Sequence, residues 1–271
     1  MPGKPQKLLT EEMSDRLRDW AARPGIRTPQ SLNGALRLLA KWRCRLIENT
    51  IWHAHRGVVY GGPFAGMRYL ERPTEGGLAP RLLGSYESEL HPFIERFIAK
   101  SFRQIAVVGS AEGFYAVGLA LRCPQSVVLA FDTDAAAAPA CRALAQINGA
   151  AERVLTRDAF VPDLLDDAEG TFILCDIEGA EADLIDPVRY PVLRIVPALI
   201  VECHEAKRRG VIRQLTDAFA SSHHVELVRH APTAFALPDC LQGQSHLDQL
   251  LALWEWRMSP TPWLVMERKA A

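Results

Sequence analysis

From Gln104 onward the chain is written as short, nearly continuous apolar runs separated by helical segments, and no other feature narrows the fold as much. The runs Gln104 to Val108, Ser126 to Phe131, Arg153 to Thr156, Thr171 to Cys175 and Ala198 to Cys203 are rich in Val, Ile, Leu and Ala. Between them, Gly113 to Arg122 and Ala135 to Ile147 carry a helical period. Strands that lack polar alternation are buried on both faces, so helices must cover both sides of their sheet, with right-handed crossovers between parallel neighbours. Lys207 to Ser221 and His246 to Trp256 read as further helices, Val225 to Arg229 and Trp263 to Glu267 as two more strands. The expectation is an α/β fold with a doubly wound, mostly parallel, seven-stranded sheet.

The first hundred residues follow a different grammar. Thr28 is a natural N-cap with Pro29 at the first helical position, and Leu32, Ala35, Leu36, Leu39, Trp42, Leu46 and Ile47 recur at three- and four-residue spacing. A helix from Thr28 to about His53 follows, preceded by a shorter one over Glu11 to Ala22. Glycines with β-branched and aromatic residues over Gly57 to Leu70 break that period as a short hairpin would. The expected organisation is therefore a helical extension with a β hairpin over 1–100 and the α/β domain over 101–271. An apolar stripe as long as that of the Thr28 helix needs a cover, either the α/β domain or the same helices of a second copy in a homodimer.

Composition removes several classes. At 271 residues, 48% apolar and 23% charged, the chain can bury a substantial core. No apolar run approaches the roughly 20 residues that span a bilayer, and the charged stretch after Leu8 is unlike a signal peptide, so a soluble, cytoplasmic protein without a membrane partner is expected. Six cysteines without CxxC spacing fit a reducing compartment. Residues 1–100 carry a charge of +6 and residues 101–271 one of −7. The surplus lacks the dense basic stripe with interleaved aromatics of nucleic-acid binders, so no nucleic-acid partner is expected.

In an open α/β sheet, ligands bind beyond the carboxyl ends of the strands. After the first strand comes Gly109-Ser110-Ala111-Glu112-Gly113, a turn that lets a ligand approach backbone. After the second comes Asp132-Thr133-Asp134, with Asp132 19 residues beyond Gly113, near the ~20 that places an acid on ribose hydroxyls. An ordinary strand-to-helix turn and an N-cap are the structural alternatives for these residues. The third strand ends in Asp158-Ala159-Phe160 and the fourth in Asp176-Ile-Glu178-Gly-Ala-Glu181. Like charges so crowded oppose ionisation unless a cation, a ligand amine or hydrogen-bond donors stabilise them. The fifth strand ends in Glu202-Cys-His204, where alternation sends Glu202 and His204 to one side. A neutral His204 could take a proton from an attacking hydroxyl, with Asp176 or Glu202 orienting it. Asp176, Glu202 and His204 could alternatively hold a divalent metal, although no spacing among them is diagnostic and none is expected as cofactor.

This series of strand ends resembles the class I S-adenosylmethionine-dependent methyltransferases, and within them the FkbM-like group. Its most specific element is the Asp-Ile-Glu-Gly-Ala-Glu block, and Gly84-Ser-Tyr-Glu87-Ser-Glu-Leu-His-Pro92 is similar to the segment preceding the first strand. The resemblance runs from about Gly61 to Glu205. It implies S-adenosylmethionine as cofactor, lined by Gly109, Ser110, Ala111 and Gly113. Asp132 and Thr133 would meet the ribose, Asp158 and Ala159 the adenine, and Glu87 and Asp176 the methionine end. The implied reaction is O-methylation of a small-molecule or sugar hydroxyl, with His204 and then Asp176 as candidate base. A nicotinamide-dependent oxidoreductase and a non-catalytic cofactor-binding module are the competing classes. Trp254, Trp256 and Arg257 could line an acceptor pocket or serve as core.

Overall fold

The computed structural model describes residues 5–71, 76–231 and 235–270. The chain divides into two compact units, Met1–Gly61 with Tyr69–Tyr86 and Ala234–Arg257, and Gly62–Arg68 with Glu87–Thr233 and Met258–Ala271.

The first unit is built on helices α1 (Gln6–Ala21), α2 (Pro29–His55), α3 (Leu78–Leu83), α9 (Asp239–Gln242) and α10 (His246–Ala252). The start of α2 is the expected one: Thr28 Oγ1 accepts the Ser31 N–H at 3.2 Å and Pro29 opens the helix. Its stripe is buried only in part. Ala35, Cys44, Leu46, Ile47 and Ile51 are buried, while Leu32, Leu36 and Leu39 stay exposed at the other end. The helix expected through Trp256 ends at Ala252. Beyond it, Arg37 lies over the Trp254 ring and Lys41 over the Trp256 ring, and Arg37 donates to the Trp256 carbonyl at 2.9 Å. These cation–π contacts hold Trp256 in a left-handed backbone conformation (φ +67°) that a continuing helix cannot contain. No strands form over Gly57 to Leu70 where a hairpin is expected: those residues form turns and isolated bridges, with the Tyr69 N–H donating to the Gly57 carbonyl at 2.7 Å. Four of those residues are glycine, and Gly57, Gly62 and Gly66 all have positive φ, which curls the chain before a ladder can propagate.

Arg43 and Asp248 join α2 to α10 through two hydrogen bonds, of 2.6 and 2.7 Å. This bidentate pair, with the Asp248 side chain 8% exposed, holds the carboxyl below its ordinary pKa, chiefly through the Arg43 hydrogen bonds. A carboxyl depressed in the folded state stabilises above its unfolded pKa, and that contribution is lost as pH falls through the folded value. Asp248→Asn is therefore expected to cost about 1–2 kcal/mol at pH 7 and progressively less toward pH 3, measured by denaturant unfolding across pH.

The second unit holds α4 (His91–Lys100), β1 (Gln104–Val108), α5 (Phe114–Arg122), β2 (Val127–Phe131), α6 (Ala137–Ile147), β3 (Val154–Arg157), β4 (Thr171–Cys175), α7 (Glu181–Leu184), β5 (Ala198–Glu202), α8 (Val211–Phe219), β6 (His223–Val228) and β7 (Trp263–Arg268). The seven strands form one sheet in the order β3-β2-β1-β4-β5-β7-β6. The first five pair in parallel, and β7 is inserted antiparallel between β5 and β6. This is the doubly wound, mostly parallel architecture expected from the apolar runs: every residue of β4 and β5 is buried. Register aligns Val108 with Phe131 and with Cys175, Phe131 with Arg157, and Cys175 with Val201. The carboxyl ends of five strands therefore share one edge, and strand order reverses there between β1 and β4. No helix among the described residues is long and apolar enough to cross a membrane.

Candidate functional site

The turn after β1 is shaped by what lies against it. Gly109 has φ +80°, and a Cβ there would overlap the carbonyl oxygen of Asp176 on the neighbouring strand end. Gly109 and Ser110 both donate to the Phe131 carbonyl at 2.9 Å, so the turn is clamped between β2 and β4. Gly113 opens α5 with φ +94°, in space that a side chain would share with Cys141 Sγ at 2.7 Å. Asp132 completes the clamp: one carboxylate oxygen accepts the Ala111 N–H and the other the Asp134 N–H, each at 2.8 Å. Each oxygen keeps a second lone pair for a ligand. Thr133, Asp158 and Ala159 are exposed at the ends of β2 and β3, and Phe160 packs edge-on against Phe131 at 5.0 Å.

Across the switch point lies a nest of acids around one imidazole. Asp176 follows β4 directly, and its N–H continues the ladder to the Val108 carbonyl at 2.8 Å. Glu202 ends β5, with His204 two residues on, and alternation turns both toward Asp176 as the sequence implies. His204 Nε2 lies 3.4 Å from Glu202, 3.7 Å from Glu178 and 3.8 Å from Asp176. Its other nitrogen, Nδ1, is 2.5 Å from Glu181 Oε1, which also accepts the Gly179 N–H at 2.9 Å. Thr261 donates to Glu202 Oε1 at 2.6 Å. Glu87, buried in a left-handed conformation, accepts the Tyr115 hydroxyl at 2.5 Å. Glu178 is exposed and ion-paired with Lys207.

Burial, and then the neighbouring Glu202, push the Asp176 carboxyl well above the usual carboxylate range. Burial pulls the His204 imidazole down, but the Glu181 hydrogen bond and the charges of Glu202, Glu181 and Glu178 outweigh it, so its pKa is raised. That differs from the neutral imidazole expected from sequence, because the sequence offers Asp176 or Glu202 as the partner of His204 where the fold supplies four carboxylates within 4 Å.

Glu181 and Thr261 have no part in the sequence-based site, yet Glu181 is fully buried there and Thr261 anchors Glu202. Glu181 carried a signal, as the third acid of its block. Thr261 carried none, since only the antiparallel insertion of β7 brings it beside the end of β5.

No protein-family model matches the sequence, and no curated protein matches it. Solved structures similar in fold include an O-methyltransferase from Streptomyces achromogenes involved in tomaymycin synthesis, in complex with S-adenosylmethionine. It is 13% identical, with 69% of this chain and 82% of that chain covered and a TM-score of 0.48. An O-methyltransferase from Bacillus cereus, in complex with S-adenosylhomocysteine, is 14% identical over 65% of this chain and 79% of its own, at a TM-score of 0.45. A human methyltransferase 10 domain containing protein is 13% identical over 83% and 94%, at 0.46. At such distances the strand order and the residues at the strand ends carry the functional argument.

Proposed function

We propose that the chain is an S-adenosylmethionine-dependent methyltransferase of the FkbM-like group that O-methylates a small-molecule or sugar hydroxyl. The observation that carries this reading is the charge of the switch point. Asp132, Asp176, Glu202, Glu87 and Glu112 gather around the turn that Gly109 packs against the Asp176 carbonyl, and Asp176 Oδ1 is buried without a hydrogen-bond partner. S-adenosylmethionine brings a sulfonium and an ammonium to such a nest, whereas a nicotinamide dinucleotide would bring a pyrophosphate, which like charges repel. The antiparallel β7 also departs from the all-parallel order 3-2-1-4-5-6 of dinucleotide folds.

In this reading Gly109, Ser110, Ala111 and Gly113 line the cofactor, Asp132 and Thr133 hold the ribose, and Asp158 and Ala159 border the adenine. Glu87 and Asp176 receive the ammonium. The bound cofactor supplies an already activated methyl group, so the chain's own task is alignment. Asp176, 30% exposed where His204 is 6%, is the member of the nest that contacts the acceptor. The proton leaving the acceptor hydroxyl is drawn into the Asp176, Glu202 and His204 cluster, where Glu181 fixes the imidazole ring.

Thermal unfolding with S-adenosylmethionine, S-adenosylhomocysteine and NAD tests the reading, since a ligand at 100 times its Kd adds about 2.7 kcal/mol. The two sulfur ligands are expected to raise Tm and NAD to leave it unchanged; the reverse pattern overturns the proposal. Transfer of labelled methyl to a fractionated extract separates an enzyme from a module that only binds.

A further inference from the structure

We infer that Tyr115 is a positioning residue for the cofactor: its hydroxyl holds the Glu87 carboxylate in the orientation that receives the ammonium of S-adenosylmethionine. This rests on the methyltransferase reading and adds to it the source of the chain's selectivity for that ammonium. The need arises from β1. Ala106, Val107 and Val108 are apolar and buried to the end of the strand, so β1 itself brings no carboxylate to the switch point. An acid that meets the amino group must therefore come from another segment.

Glu87 has the marks of that acid. It is 1% exposed, and its backbone is held in a left-handed conformation (φ +50°) that strains a residue with a side chain. Local structure explains neither feature. Glu87 precedes the single turn Ser88–Leu90, yet its side chain makes no capping hydrogen bond there, and the Leu90 N–H goes to its carbonyl at 2.8 Å instead. The carboxylate engages the Tyr115 hydroxyl at 2.5 Å and lies close enough to Asp176 for its charge to help raise that carboxyl. Two buried acids so placed oppose each other's ionisation unless a cation joins them.

Tyr115 is built to hold one position. It stands in the first turn of α5, directly after the turn over residues 109–113, and its ring meets Phe64 at 5.9 Å and Phe114 at 5.4 Å, both edge-on. Phe64 is itself seated on α5: a Cβ at Gly118 would overlap its ring at 2.5 Å. Fixing the ring fixes the hydroxyl, and the hydroxyl fixes Oε2 of Glu87. A carboxylate oxygen that accepts one hydrogen bond can accept another, so this bond orients the group and leaves it able to meet a ligand. Hydrogen bonds to a carboxylate are also the shorter and stronger kind.

Calorimetry on the full chain with two probes reads the assignment: S-adenosylhomocysteine, and its desamino analogue, which keeps the adenosine, the thioether and the carboxylate. The unaltered protein should prefer the amine by about tenfold or more, the scale of one hydrogen bond to a charged group. Tyr115→Phe removes only the hydroxyl and should weaken S-adenosylhomocysteine by about tenfold while leaving the analogue unchanged. Glu87→Gln should erase the preference, and adding Tyr115→Phe to it should cost little more, because both act on one interaction. A residue kept for packing would weaken both probes alike. Equal weakening of the two probes by a folded Tyr115→Phe, or no weakening of either, overturns the assignment. So does an unaltered protein that binds both probes equally well, a result that needs no variant. An unaltered protein that binds neither probe overturns the cofactor reading and the assignment with it, so the parent alone tells the two failures apart.

Discussion

Gly109→Ala is expected to abolish cofactor binding and to destabilise the protein by roughly 2 to 4 kcal/mol, more than a change of one methyl group ordinarily does. Two separate costs add. A non-glycine residue at φ +80° is strained by about 1–2 kcal/mol, and the new Cβ overlaps the Asp176 carbonyl oxygen, a backbone atom that no rotamer change can remove. Relief requires β1 and β4 to part at their carboxyl ends, where the turn is also tied to Phe131 and Asp132. Gly149→Ala provides the internal control: its φ is +67°, yet a Cβ there would have nothing within 4 Å. That variant should lose only the conformational part, about 1 kcal/mol, and keep cofactor affinity. Denaturant unfolding gives the first quantity and calorimetry with S-adenosylmethionine the second. Equal destabilisation of the two variants, with normal binding by Gly109→Ala, would show that the cradle neither carries strain nor seats the cofactor.

The same contrast between local and long-range constraint explains what was legible in the sequence. β1 and β4 fall where the apolar runs place them, because a strand buried on both faces must be apolar throughout and ends where polar residues begin. The turn and acids after each strand were legible for the same reason, since topology puts every parallel strand's carboxyl end on one edge. Partners set by the order of the sheet were not. The position of β7 between β5 and β6 has no local signature, so neither Thr261 beside Glu202 nor Trp263 paired with Glu202 could be read from the chain. Among the three acids after β4, spacing could not tell that Glu181 turns inward to His204 while Glu178 faces solvent and Lys207. In α2 the period marked an apolar face correctly, but Leu32, Leu36 and Leu39 lie on a part of it that this unit leaves exposed. Periodicity shows that a face is apolar; how far along the helix its cover extends is decided by other segments.

Asp176→Asn is expected to move stability and activity in opposite directions, and this contrast separates a functional acid from a structural one. The carboxyl sits among Glu202, Glu87 and Glu178, and burial with those charges holds its pKa well above the ordinary range. A carboxyl raised in the folded state binds a proton that the unfolded chain has released, so stability is full below the unfolded pKa and falls as pH rises above it. Asparagine has no such proton to bind. With EDTA present to exclude metal ions, the variant should therefore be more stable than the parent by about 1 kcal/mol at neutral pH, with the advantage vanishing toward pH 3. Turnover should fall by roughly 10² to 10⁴, because an amide cannot relay the acceptor's proton, passing its own to the Glu202 and His204 cluster while taking up that of the hydroxyl. A residue kept for packing or capping would behave differently, losing stability on substitution and leaving the rate alone. Unfolding curves across pH and single-turnover methyl transfer read the two effects independently, and a less stable, fully active Asp176→Asn would place the chemistry elsewhere on the sheet edge.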